Sequence, residues 1–200
     1  LDLNVSNVDN MRGLFGHCES IKEIDISNFE LKYIVNMFEM FAYCDKLESA
    51  KIGNGIDYLD DTFLYGFCLQ SAIIGDLTEE AKKLSPSLFI GENIKKIGYR
   101  SFYMCRSLKS ILFSDSLTYI GEIAFVMCEK ITSISFWHSS NPSNETKIEK
   151  GAFYELTSLI SLNFGELNSV HLCSDSFENC PNLTDIHFPE QNCSIENHAF

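Results

Sequence analysis

The chain has 200 residues, the size of one ordinary domain or one stretch of a repeat array. With 45% hydrophobic and 22% charged residues it can bury a core and is not disordered by composition. Its formal charge of -13 is spread over both halves with no basic stripe, which argues against a nucleic-acid or anionic-membrane partner. No apolar run approaches the roughly 18 residues of a bilayer-spanning helix, and no signal peptide is in view.

The dominant feature is self-similarity anchored on Phe15, Phe41, Phe63, Phe102, Phe125, Phe153 and Phe177, with Phe200 as a further anchor. Six, nine and eleven residues after each of the first seven, the residue is apolar, from Ile21, Ile24 and Ile26 to Leu183, Ile186 and Phe188. The last two members of each triplet alternate, and period two means a strand with that pair facing inward. In chain order the predicted strand pairs are Ile24/Ile26, Ala50/Ile52, Ala72/Ile74, Leu88/Ile90, Ile111/Phe113, Ile134/Phe136, Leu162/Phe164 and Ile186/Phe188. The Leu88/Ile90 pair lacks its own Phe anchor and belongs to a shortened coil. Its middle, residues 78–84, reads as a short helix, with Asp76 three residues before Glu79 as a capping pair and Pro86 as the stop. A polar loop follows Trp137.

Other columns share the period. Three residues after the anchors stand Cys18, Cys44, Gly66, Cys105, Cys128, Leu156 and Cys180. Because Gly and Leu share the slot, it reads as a small buried group and not a metal ligand. Parallel stacked side chains also do not offer disulfide geometry. Cys68, Cys173 and Cys193 lie off this column and are expected to be the exposed thiols. Five residues before the later anchors stand Ile97, Ile120, Ile148, Leu172 and Ile195, which predicts a second brief extended piece per coil. The segment around each Phe fits one short helical turn. The residue before each strand pair is Glu23, Ser49, Ser71, Ser87, Ser110, Ser133, Ser161 and Asp185, an outward polar ladder that fixes the register.

One such coil cannot bury its inward face alone, so the coils must stack in parallel. The expected fold is a solenoid of about seven to eight coils, with a parallel strand per coil, short helical turns and one shortened coil. Three stretches are distinguished within one continuous array: 1–53, 54–93 with irregular coils, and 94–200. Leu1, Leu3 and Val5 at one end and Ile195, Ala199 and Phe200 at the other read as uncapped coils, so the array is expected to continue, with fraying from residue 189 onward.

The pattern Ile-Gly-x-x-x-Phe-x-x-Cys-x-x-Leu-x-x-Ile-x-Phe at residues 97–113 and 120–136 resembles the BspA-type leucine-rich repeat. The Asn10-Met11 to Cys18 and Asn36-Met37 to Cys44 segments resemble a sister repeat of bacterial surface lipoproteins. The resemblance implies a leucine-rich-repeat solenoid and a binding or adhesion protein displayed at a cell surface or secreted. Its partner would be a protein, such as a host or matrix protein. Two alternatives stay open: an intracellular scaffold with the same array, and the targeting arm of an enzyme whose catalytic domain lies elsewhere.

No nucleophile elbow, phosphate loop or metalloprotease helix occurs, and neither an enzyme activity nor a cofactor is expected. His171 and Cys173, with His187 and Cys193 one coil on, match no recurring zinc spacing, so no metal is assigned. Asp60-Asp61 reads as a solvated turn. The outward residue between each strand pair gives a column that is polar at its ends and apolar at its centre, Ile73-Phe89-Leu112. On an open sheet this is a candidate partner surface, with Trp137 as a rim anchor, unless residues 76–86 cover it. Asn144, a sequon in the polar loop, is the best glycosylation candidate among Asn4, Asn144, Asn182 and Asn192.

Overall fold

The computed structural model describes residues 8–29, 31–34, 36–139, 142–143 and 145–200. Asn4 and Asn144, and the apolar residues Leu1, Leu3 and Val5, lie outside them.

In chain order the elements are β1 (Glu23–Ile26), β2 (Ser49–Ile52), β3 (Tyr58–Leu59), β4 (Ser71–Ile74), α1 (Glu79–Leu84), β5 (Leu88–Ile90) and β6 (Lys96–Ile97). There follow β7 (Ser110–Ser114), β8 (Tyr119–Ile120), β9 (Ser133–Trp137), β10 (Thr146–Ile148), β11 (Ser161–Asn163), β12 (Ser169–Leu172), β13 (Asp185–His187) and β14 (Asn192–Ile195). The strands form two sheets. The first has eight strands in the order β1-β2-β4-β5-β7-β9-β11-β13, and the second has six, β14-β12-β10-β8-β6-β3. Every pairing in both sheets is parallel, which makes the chain a β-solenoid of about seven turns with very little helix.

The first sheet carries the expected strands in the expected register. Ser49 pairs with Glu23 and Ser71, and Ser133 pairs with Ser110 and Ser161. Leu88 of the shortened coil sits between Ala72 and Ile111. The serine ladder is more than a solvated edge at that insertion. Ser87 Oγ donates to the Ser110 carbonyl at 2.8 Å and accepts the Lys109 and Ser110 amides at 2.8 and 2.9 Å. Ser110 Oγ in turn accepts the Ser87 amide at 3.0 Å. These hydroxyls stitch the short strand into the ladder. The second sheet holds Ile97, Ile120, Ile148, Leu172 and Ile195 as expected and gains Leu59, paired with Ile97, one residue out of the repeat spacing.

The shortened coil contributes β5 to the first sheet but bypasses the second, so β3 pairs directly with β6 across the insertion. The phenylalanine column follows the second sheet. Phe63 stacks directly on Phe102, with centroids 5.2 Å apart. The column runs without interruption from Phe15 to Phe200 at centroid spacings of 4.9–5.5 Å, close to the roughly 4.8 Å between strands. Phe41, Phe63, Phe102, Phe125, Phe153 and Phe177 are all fully buried. A second, looser ring column, Phe113, Phe136, Phe164 and Phe188, lines the inside of the first sheet.

Around each Phe the chain makes consecutive reverse turns. The three-residue bonds of a helical turn are present, as from the Cys18 amide to the Phe15 carbonyl at 3.2 Å. Every second amide, however, bonds to the next coil. The Phe41 amide reaches the Thr62 carbonyl and the Tyr43 amide the Leu64 carbonyl, both at 2.9 Å. The alternation requires left-handed backbone two residues before and two after the Phe. Only Gly13 and Gly151 among these are glycines, and Ile123 has φ 48°. A β-branched side chain there costs about 1–2 kcal/mol. Ile123→Gly is therefore expected to leave stability unchanged or raise it by about 1 kcal/mol, read as a denaturation midpoint. A clear loss would show that its packing outweighs the strain.

Candidate functional site

The predicted apolar patch is not an open surface. The helix at Glu79–Leu84 forms where the sequence places it, but its N-cap is Thr78, whose hydroxyl accepts the Ala81 amide at 3.2 Å. Asp76 is instead engaged by the side chain of Asn54. The helix lies over the middle of the first sheet and seats Ala81 on Phe89 and Leu112, which are 0% and 2% exposed. Ile73, Leu77 and Trp137 pack around this small second core, and the Trp137 ring stacks on Phe89 at 5.9 Å. Three adjacent apolar residues on an outer sheet face demand a cover, and the shortened coil supplies it. The flanking polar residues of the column do stay outside: Asp25 and Lys51 form a surface pair at 3.7 Å, and Asn163 and His187 are exposed.

In the polar segment after Trp137, His138, Ser139 and Ser143 are all held by Asp115. Asp115, a buried residue, accepts the Ser139 amide at 2.9 Å and the Ser139 hydroxyl. Its other oxygen faces His138 Nδ1 at 3.0 Å, and its own carbonyl receives the Ser143 amide at 2.8 Å.

A groove of about 1010 Å³ opens at the N-terminal edge of the second sheet. There the coils of residues 8–54 stop supplying second-sheet strands beyond the single Asn10–Asn36 bridge, and β3 becomes an edge. Ile34, Met37, Phe38 and Ile56 give the lining an apolar floor, and Arg12, Lys32, Asp57 and Tyr58 supply charged and polar walls. The Arg12 guanidinium stands 4.7 Å from the Phe38 ring centroid and 3.7 Å from Glu39. Beneath the groove, Asp60-Asp61 is not the solvated turn the sequence suggests. Asp61 is 1% exposed and pairs with Arg100 at 3.0 Å. Burial pushes the carboxyls of Asp60 and Asp61 above the usual range, although Arg100 pulls both the other way. Burial, and after it the Asp60 charge, lifts the Tyr58 phenol to about 12.

All eight cysteines are free thiols. Cys44, Cys105 and Cys128 are buried in the ladder, while Cys18 and Cys180, toward its ends, are half-buried. The slot's preference for sulfur has a reason. Cys44 Sγ donates to the Phe15 carbonyl at 3.0 Å, Cys128 Sγ to Phe102 at 3.1 Å, and Cys105 and Cys180 do the same to Phe63 and Phe153 at 3.4 Å. Gly66 belongs in the same column because a Cβ there would stand 3.1 Å from Cys105 Sγ. Of the three thiols expected outside, Cys68 and Cys193 are exposed, but Cys173 is buried at 5%. Burial raises its thiol to about 11, followed by Glu149, to which it donates. Brief alkylation of the native protein should label Cys68 and Cys193 first and spare Cys105, Cys128 and Cys173. Equal labelling of all eight would contradict this packing.

Cys173 has company. His171 Nε2 is 3.3 Å from Glu196 Oε1, and the ligand atoms of His171, Cys173 and Glu196 all lie within 4.8 Å of one another. In the sequence His171 and Cys173 group with His187 and Cys193 one coil on. His187 lies on the first sheet, and its ring nitrogen faces Asp185 at 3.4 Å. The missed partner, Glu196, is 25 residues from His171 and adjacent only because β12 and β14 pair.

Two stacked parallel sheets, a buried phenylalanine ladder and one thiol column define a leucine-rich-repeat solenoid. The chain belongs to the BspA type leucine rich repeat region family, whose model matches residues 80–200 in six copies. Residues 1–54 match a family described as a Mycoplasma protein of unknown function, DUF285. No curated protein matches the chain. Among solved structures it is similar to a leucine-rich repeat protein from Bacteroides ovatus, at 17% identity and a TM-score of 0.39, over 87% of this chain and 56% of that one. It is also similar to a leucine rich cell surface protein from Faecalibacterium prausnitzii A2-165, at 18% identity and a TM-score of 0.39, over 88% of this chain and 62% of the other. The chain thus spans less than two thirds of either protein, and superpositions this loose add nothing to the fold already described. Membership in the family suggests a protein-interaction module. Among the described residues no helix is long and apolar enough to cross a membrane.

Proposed function

We propose that the chain is a protein-binding module of a surface-displayed or secreted protein, serving adhesion and carrying no catalysis of its own. The observation that supports this reading best is the groove beside β3. It combines an aromatic and aliphatic floor (Phe38, Met37, Ile56) with Arg12 and Tyr58, and Arg and aromatic side chains are the types that carry binding energy at interfaces. Ile73, Phe89, Leu112 and Trp137 are engaged in seating α1 and are not among the residues that line the groove. A glycan on Asn144 in protein from the native source would agree with display outside the cell.

The test is to titrate the purified chain against immobilised extracellular-matrix and epithelial surface proteins, alongside the Phe38→Ala/Tyr58→Ala double variant. Saturable binding that the double variant loses at least tenfold is the expected result. Binding that survives the double variant would remove the groove from the proposal. Absence of binding to every protein in the panel would count against the adhesion role.

A further inference from the structure

Four residues before each of the last five Phe anchors, just past each second-sheet strand, stand Gly98, Gly121, Glu149, Cys173 and Glu196. In the first two of these coils the neighbouring coils approach closely. A Cβ on Gly121 would stand 2.8 Å from the Gly98 backbone, and one on Gly98 would run into the Tyr58 hydroxyl. In the last three coils the repeat gives up this glycine, and the replacements are a carboxylate, a thiol and a carboxylate. The hydrogen-bond ladder continues through them: the Glu149 amide donates to Ile120, the Cys173 amide to Ile148 and the Glu196 amide to Leu172, each at 2.9 Å. The backbone therefore holds these side chains in one row, on three adjacent coils. His171, two residues before Cys173 on β12, joins them.

We propose that His171, Cys173 and Glu196 form a binding site for a zinc-type divalent metal ion that ties the β12 coil to the β14 coil. Imidazole, thiolate and carboxylate together are the donor set such an ion takes. Metal–ligand bonds of about 2.0–2.3 Å in a tetrahedron put ligand atoms about 3.3–3.7 Å apart. The His171–Glu196 separation of 3.3 Å already satisfies this, and the limit of 4.8 Å on the rest leaves only small side-chain rotations. Ser174 supports the arrangement, since its amide donates to Glu196 Oε2 at 2.9 Å and leaves Oε1 turned toward His171. One thiolate and one carboxylate neutralise a divalent cation. The neighbouring Glu149 is already matched by Lys147 at 2.6 Å. As the metal–sulfur bond forms, the Cys173 Sγ proton leaves to solvent. Three protein ligands leave a fourth position for water.

The experiment is a cobalt(II) titration of the reduced protein carrying Cys68→Ser and Cys193→Ser, so that neither exposed thiol contributes. The expected result is one equivalent of cobalt bound with a thiolate-to-cobalt charge-transfer band and strong visible bands of tetrahedral coordination, all displaced by one equivalent of zinc. Adding Cys173→Ser should abolish the charge-transfer band. Glu196→Gln, a change at an exposed side chain, should weaken binding at least tenfold while the circular dichroism spectrum stays unchanged. No charge-transfer band in the starting protein, a band that persists without Cys173, or cobalt affinity indifferent to Glu196→Gln would each overturn the proposal. In that case His171 and Glu196 form a surface ion pair beside a packed thiol, and nothing more.

Discussion

Ile134→Asp is expected to collapse the central coils. Ile134 is 1% exposed and lies in register with Ile111 on one side and Leu162 on the other. Its side chain belongs to the main hydrophobic core. A carboxylate there has no partner, and an unpaired buried charge costs several kcal/mol. Each coil is stabilised only by its neighbours, so damage to one spreads to both sides. The change should exceed about 4 kcal/mol and lower the unfolding midpoint by tens of degrees, or prevent soluble expression. Ser133→Asp, one residue away on the outer face, should stay within about 1 kcal/mol of the parent. Thermal unfolding followed by circular dichroism decides between the two. Equal damage from both substitutions would mean the register is wrong.

Arg100→Ala should have the second-largest effect. It removes the cation 3.0 Å from Asp61, whose side chain is 2% exposed, and leaves the carboxylate without compensation. Breaking a buried pair from one side costs about 3–5 kcal/mol. The Arg100 side chain is itself 34% exposed, so solvent screening reduces the expected loss to about 2–3 kcal/mol. The pH dependence has a definite sign. The Asp61 carboxyl already sits above the ordinary carboxylate value of 3.8, with burial as the largest cause and Arg100 opposing it. Without Arg100 it rises further. A carboxyl raised in the folded state binds its proton more tightly there than in the unfolded chain. The stability tied to that proton is fully present below pH 3.8 and is lost as the pH climbs through the raised value. The gap between variant and parent should therefore be widest at neutral pH and narrow as the pH falls toward 4. A gap that is flat with pH would place the charge of Asp61 in contact with water.

Much of the fold is legible in the sequence because a stacked array repeats one burial problem. At Phe63 and Phe102, at Cys44 and Cys128, and at Ile111 and Ile134, the same offset faces the same environment, so a period along the chain reports a column in space. Register followed from the same logic. Ser87 falls in a run of outward serines only if the Leu88–Ile90 strand is inserted where β5 is found. Local chemistry placed α1 within residues 78–84 ahead of Pro86, although the cap is Thr78 and not the Asp76 that the spacing suggests.

The tertiary structure decided what the period does not contain. The repeat says nothing of which way the shortened coil turns once it leaves the first sheet. Its helix lies over Phe89 and Leu112 because those side chains need cover there, and a candidate surface thereby becomes core. The same bypass draws Arg100 over Asp61, 39 residues apart, and buries an acidic pair that composition alone would leave in water. Left-handed backbone on both sides of each Phe went unread because the residues there include tyrosine, methionine, isoleucine and arginine. Inter-coil hydrogen bonds, not side-chain type, hold that geometry. His171 and Glu196 meet for the same reason: parallel coils place residues about one repeat apart side by side, and which donors converge depends on where each side chain turns.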